Sequence, residues 1–171
     1  NPTPEIMPDL VKEVAPEAII ATGRSDFPNQ VNNVLCFPFI FRGALDVGAT
    51  QINDAMEIAC IEGIAALARA TTSAEAAAAY RGEKLSFGAD YLIPKPFDPR
   101  LVGVVSTAVA GAAMKTGVAT RPMEDLKAYR HKLDASVYKS ALLMRPVFEA
   151  AGATARKIVF AEGEDERVLR A

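Results

Sequence analysis

Apolar residues recur at helical spacing through Ile6, Leu10, Val11 and Val14, which predicts a helix opening near Glu5 and stopped by Pro16. Ahead of it, Asn1-Pro2-Thr3-Pro4 alternates polar residues with proline. Each ring fixes φ and pushes the preceding residue toward extended geometry, so this stretch reads as a turn. Ala18–Ala21 is a short, unbroken apolar run of the kind a strand buried on both faces requires, as in a parallel sheet. A helix, a short loop and a buried strand in succession predict an α/β sheet.

Thr22–Asn33 is a polar loop leaving the carboxyl end of that strand, the place where open α/β sheets generally bind ligands. Val34–Leu45 turns apolar and helical, with Pro38 best accommodated in the first turn and Gly43 and Gly48 punctuating the path. Thr50 is the expected N-cap of a long alanine-rich helix over Ile52–Ala70, followed by a short helix at Ala74–Tyr80. Asp90–Ile93 reads as a last short strand or an extended connection, halted by the proline-rich run IPKPFDPR. Asp98 caps the next helix, with Pro99 at its first position and Leu101–Met114 as its body. Beyond Gly117, Met123–Leu133 and Ala135–Ala150 read as two more helices. Lys157–Ala161 then reads as a strand, and Gly163–Ala171 as the start of another helix.

Composition narrows the function classes. The 171 residues are 50% hydrophobic and 23% charged, an ordinary globular balance with room for a real core. A net charge of −2 offers no basic field for nucleic acid or for an acidic membrane face. No apolar run approaches the roughly 18 residues of a membrane span and no basic-then-apolar leader opens the chain, so a cytoplasmic setting is expected. Cys36 and Cys60 read as small buried hydrophobes. Two thiols without CxxC spacing and a single histidine, His131 between Arg130 and Lys132, argue against a zinc site or a disulfide scaffold. The chain opens inside a turn without an initiator methionine and stops in a helix, so it is expected to be a piece of something longer.

The candidate chemistry lies in the loop. Asp26, Asn29, Gln30, Asn32 and Asn33 offer groups that accept and donate, suited to a ligand bearing hydroxyl and carboxylate. The same residues also satisfy loop backbone through Asx-type turns, and spacing alone leaves both readings open. Lys95 reads first as a solvated surface lysine and His131 as a surface histidine. No G-x-G-x-x-G, Walker lysine loop, H-E-x-x-H or nucleophile elbow is present, and no paired carboxylates suggest a self-contained Mg²⁺ site. What remains is a ligand-binding half-site.

NPTPE at residues 1–5, the run GRSDFPNQVNN at 23–33 continuing through Phe37-Pro38, and IPKPFDPR together resemble the carboxyl-terminal half of the bacterial malic enzymes. KIVFAEGEDERVLRA resembles the opening of a phosphate acetyltransferase-like domain, and that order resembles the hybrid NADP-dependent malic enzymes. The resemblance implies an α/β fold: residues 1–117 as the carboxyl-terminal part of a Rossmann-like cofactor domain, 118–151 as a helical connector, and 152–171 as the start of the second domain. It implies oxidative decarboxylation of L-malate to pyruvate and CO₂ with reduction of NADP, NAD being possible, and a Mg²⁺ or Mn²⁺ ion acting as Lewis acid. Asn1 and Asn33 map onto residues near nicotinamide and substrate, with Asn32 a weaker substrate contact. An amide hydrogen-bonds carboxylate or carboxamide without a charge that would oppose hydride transfer. A homo-oligomer and an acetyl-CoA-type effector of the second domain are further implications.

The family's tyrosine and lysine acid–base pair, its metal ligands and its glycine-rich cofactor turn match nothing in this chain, so no catalytic or metal residue is assigned. Tyr80, Tyr91 and Lys95 do not fall on those motifs. The loop reads PNQVNN where animal-type enzymes of the family have PGQGNN, which removes two easy routes to positive φ. The alternative expectation is a non-catalytic module whose alanine-rich helices mediate oligomerisation; a dehydrogenase for amino acids would leave NPTPE and IPKPFDPR as coincidences.

Overall fold

The computed structural model describes residues 3–70 and 85–137. The chain divides into two units, Asn1–Ala135 and Ser136–Ala171, and nearly all of the second lies outside the described residues. So do Asn1, the helix expected at Ala74–Tyr80, most of Ala135–Ala150, and the strand and helix expected over 157–171. In chain order the first unit contains α1 (Pro8–Val14), a 3₁₀ turn (Asn33–Leu35), α2 (Phe37–Asp46), α3 (Asp54–Arg69), α4 (Arg100–Lys115) and α5, helical from 126 to the unit's end at 135. No helix among the described residues is long and apolar enough to cross a membrane.

α4 is the centre. Small and branched apolar residues cover it on most sides, so it can bury itself only among other helices. Leu101, Val105, Val109, Ala110 and Ala113 are all fully enclosed. α2 packs on one side of it and α3 on another, contributing Ile40, Ala44, Met56, Cys60 and Leu67 to one core, which Tyr129 and Leu133 of α5 complete. Close approach of α2 depends on Gly43: a Cβ there would run into the Ser106 carbonyl and the Val109 side chain. Ser106, itself buried, donates its hydroxyl to the Phe39 carbonyl at 3.1 Å across the same contact.

The loops on either side of this core are laced by backbone. Thr50 donates to Val118 O at 3.0 Å, Thr120 to Gly48 O at 3.1 Å and Arg121 to Val47 O at 2.9 Å, around an antiparallel bridge between Ala49 and Ala119. Gly48 sits at φ 60°, where a side chain would be strained and would strike Thr120. Because Thr50 is used in this seam, the expected N-cap shifts: Asn53 caps α3, its Oδ1 accepting from Met56 N–H at 3.1 Å. α1 likewise starts at Pro8 instead of Glu5, since proline fits a first turn. Asp125 caps α5 through Lys127 and Ala128 N–H (2.8 and 2.9 Å), and the helix passes Asp134 without the break expected there.

The expected strand at 18–21 has no regular secondary structure and joins no ladder among the described residues, and Ile19 is 62% exposed instead of buried on both faces. A strand's backbone groups need a neighbouring strand, and none lies beside it among the described residues. Residues 88–91 form a tight turn, Tyr91 N–H reaching Gly88 O at 3.0 Å, in place of a strand. The proline-rich run after it is an ordered connector: Pro94 and Asp98 are buried, and Asp98 accepts from Arg100 N–H at 3.0 Å at the entrance to α4, while the Arg100 guanidinium pairs with its carboxylate at 2.6 Å.

Candidate functional site

The loop 22–33 closes on itself where the 18–21 segment ends. Val31 N–H donates to Thr22 O at 2.7 Å, and Thr22 and Gln30 form a single parallel bridge. Asn29 holds the centre. Its backbone lies at φ 54°, a region asparagine tolerates better than most non-glycine residues, and it is only 6% exposed. Nδ2 donates to Ile20 O at 3.0 Å and Ala89 O at 2.7 Å, while Oδ1 accepts from Leu92 N–H at 2.7 Å. One side chain thus ties the 18–21 segment to the 88–92 turn, using most of its hydrogen-bonding capacity.

The other loop residues are also committed. Gln30 Nε2 donates to Gly23 O at 3.3 Å, and Asn32 Oδ1 accepts from Val34 N–H at 3.0 Å, capping the 3₁₀ turn. Arg24 grips Asp26, Nε to Oδ1 at 2.8 Å, and lies 5.1 Å from the Phe27 ring centroid. The hydrogen bond from Arg24 holds the Asp26 carboxyl below its ordinary range. For Asn29, Gln30 and Asn32, then, the amides serve loop backbone. Asn33 differs: it opens the 3₁₀ turn, is exposed, and makes no side-chain hydrogen bond among the described residues.

Several clefts flank the loop. One of about 470 Å³ is lined by Pro4, Glu5 and Ile6 together with Thr22, Gly23 and Arg24. A larger one, about 780 Å³, runs between Ser25–Pro28 and the 85–91 stretch and includes Lys95. Lys95 is partly buried and lines this larger cleft, between the buried Pro94 and Pro96. Asn32 and Asn33 line neither of these two clefts. His131 is exposed on α5, as expected.

Two further features were hidden in the sequence. Cys60 is buried in α3 and Cys36 half-buried at the start of α2, and the Cys60 thiol donates to Cys36 Sγ across 3.4 Å. Burial pushes the Cys60 thiol up to about 12, with the Cys36 contact adding to it. Asp46 at the end of α2 accepts from the Tyr129 hydroxyl at 2.8 Å and from Arg42 at 2.6 Å. No local pattern announces the Cys60–Cys36 or the Tyr129–Asp46 contact, because those partners are far apart in sequence, whereas Arg42 and Asp46 are an ordinary i,i+4 helix pair. Among the described residues, no three of His, Cys, Asp and Glu cluster closely enough to hold a metal ion.

No family model matches the chain. Among curated proteins it is 60% identical over 171 residues to an NADP-dependent malic enzyme of Salmonella typhimurium, covering all of this chain and 22% of that protein. It is 59% identical over 172 residues to an NAD-dependent malic enzyme of Rhizobium meliloti, again 22% of that protein. The crystal structure of the Entamoeba histolytica malic enzyme superposes with a TM-score of 0.67 at 34% identity, over 88% of this chain and 29% of that one. The α/β class expected from the sequence stands on this likeness. The chain spans about 22% of the length of the curated relatives it matches. Along its whole length the chain is similar in sequence to a segment of bacterial malic enzymes, and over 88% of it the fold is similar to a segment of the Entamoeba histolytica malic enzyme.

Proposed function

We propose that this chain belongs to the cofactor domain of a malic enzyme that oxidatively decarboxylates L-malate to pyruvate and CO₂ while reducing NADP. The observation that carries the reading is the match to malic enzymes along the entire chain, including both asparagine-bearing motifs. NAD is the alternative acceptor, since relatives named for either nicotinamide match almost equally well. In this reading Asn33 presents its amide to substrate or to the nicotinamide carboxamide, Asn1 contacts the same ligands, and Asn32 is a weaker substrate contact. Its exposed position and uncommitted side chain support that role. A charged group there would oppose hydride transfer, whereas a neutral amide orients the ligand without that cost.

A divalent ion, Mg²⁺ or Mn²⁺, would supply Lewis-acid chemistry in such an enzyme, but the described residues do not fit it, so its ligands and the acid–base pair belong to the rest of the parent polypeptide. The proposed organisation is 1–117 as cofactor domain, 118–151 as helical connector and 152–171 as the opening of a phosphate acetyltransferase-like domain that answers an acetyl-CoA-type effector. A cytoplasmic homo-oligomer completes the proposal. The test is malate-dependent reduction of NADP and of NAD, with Mn²⁺, by the parent polypeptide and its Asn33→Ala variant. A fall of roughly tenfold to a hundredfold in kcat/KM is expected for the variant. A parent inactive with both cofactors contradicts the reading.

A second reading rests on α2, whose outer face carries Phe37, Phe41 and Leu45 at successive turns, all exposed, with Phe37 and Phe41 in edge contact at 5.3 Å. Such a stripe suits a non-catalytic helical module that mediates oligomerisation. It predicts a stable oligomer whose unfolding temperature ignores malate and NADP, whereas ligand-induced stabilisation favours the enzyme.

A further inference from the structure

We infer that Cys36 and Cys60 form a reversible intramolecular disulfide, a modification site at the root of the turn that carries Asn33. The two sulfurs already face each other at 3.4 Å, and a bond needs about 2.05 Å between them. The missing distance, a little over 1 Å, has to come from one side. Cys60 lies in the middle of α3, enclosed by the core, and cannot give. Cys36 sits at the junction of the 3₁₀ turn and α2, where the chain changes helical geometry, and its N–H donates to the Asn33 carbonyl at 3.0 Å. Closing the bond therefore pulls on the turn that presents Asn33.

Exposure orders the chemistry. Cys36 is half-buried and within reach of a small reagent, while Cys60 is 1% exposed. The oxidant is a small-molecule disulfide such as oxidised glutathione. The Cys36 thiolate attacks one of its sulfurs, forming a mixed disulfide and releasing one thiolate. Cys60 then attacks Cys36 Sγ, its proton passing to the second departing thiolate. Two protein thiols are oxidised and one reagent disulfide is reduced to two thiols, so the exchange balances. The raised proton affinity of Cys60 makes the second step the slower one. The effect on turnover rests on the proposed malic enzyme reading; the bond itself does not.

The parent protein, incubated with oxidised glutathione, alkylated and cleaved with trypsin without reduction, reports directly. Cleavage after Arg24, Arg42 and Arg69 places Cys36 in peptide 25–42 and Cys60 in peptide 43–69. The expected result is a covalent pair of these peptides, two hydrogens lighter than their sum, released by dithiothreitol and absent from the Cys36→Ser and Cys60→Ser variants. Recovery of both thiols alkylated, or of a Cys36 mixed disulfide that never progresses, overturns the proposal. In the same samples, oxidation is expected to lower malate turnover reversibly in the wild type and to leave turnover of Cys36→Ser unchanged by the oxidant. Unchanged turnover with the link fully formed overturns the coupling to Asn33. A reduced protein that never turns over malate while still forming the link refutes the enzyme reading and leaves the disulfide standing.

Discussion

The seam between residues 47–50 and 118–121 and the loop 22–33 are both irregular chain beside a helix, yet they are held in opposite ways. The seam is a run of backbone hydrogen bonds, Thr50 to Val118, Thr120 to Gly48 and Arg121 to Val47, reinforced by Thr120 and Arg121 side chains on the Gly48 and Leu45 carbonyls at 2.7 Å. The loop is held chiefly by one side chain, Asn29, reaching three backbone groups in two other segments. A distributed seam tolerates the loss of any one member. The loop's side-chain ties to other segments run through Asn29, so they are lost together when that residue changes, while the Asn33 side chain makes no hydrogen bond among the described residues.

Substitutions test the contrast, starting from the framework common to both. Leu101→Ala at the head of α4, where the side chain is completely enclosed, is expected to cost about 2–5 kcal/mol in denaturant unfolding. Asn29→Ala should cost about 2–4 kcal/mol, because it strands buried partners and leaves alanine at positive φ. Proteolysis within 22–33 should rise with it. Thr120→Ala should cost no more than about 1 kcal/mol, since its backbone bond to Gly48 survives. If Thr120→Ala proved as damaging as Asn29→Ala, the contrast between distributed and single-point anchoring would fail.

Tyr129 gives the pH dependence. Burial, and next its hydrogen bond to Asp46, raise its folded pKa above the ordinary tyrosine value. A raised pKa means the fold prefers the neutral phenol. That stability is fully present below the unfolded value of about 10 and is lost as pH climbs from there toward the folded value. Tyr129→Phe should therefore cost about 0.5–1.5 kcal/mol at neutral pH and flatten the decline above about pH 10. An identical alkaline limb in wild type and variant would assign the titration elsewhere.

The helical framework was readable because its signals are local. Pro38 in a first turn, Asp98 before Pro99 and the apolar run of α4 each act within a few residues, and α2 and α4 form close to where they were expected. The cap of α3 was misplaced because Thr50 is claimed by Val118, 68 residues away. The strand at 18–21 has the right composition, but pairing is a property of neighbours that the run itself does not encode. In the loop, residue types pointed to amide chemistry, yet which amides serve the backbone depended on the 88–92 turn arriving beside Asn29. Cys36 and Cys60, read as small hydrophobes, face each other only because α2 and α3 both pack on α4.

Asn29 builds the loop, and in the proposed function Asn33 uses it. Malate-dependent NADP reduction and the unfolding midpoint, measured together on Asn33→Ala in the parent polypeptide, test it most directly. The account predicts kcat/KM down by roughly tenfold to a hundredfold with stability changed by less than about 0.5 kcal/mol. Full activity in the variant, or a loss of activity that only tracks a loss of stability, would contradict it.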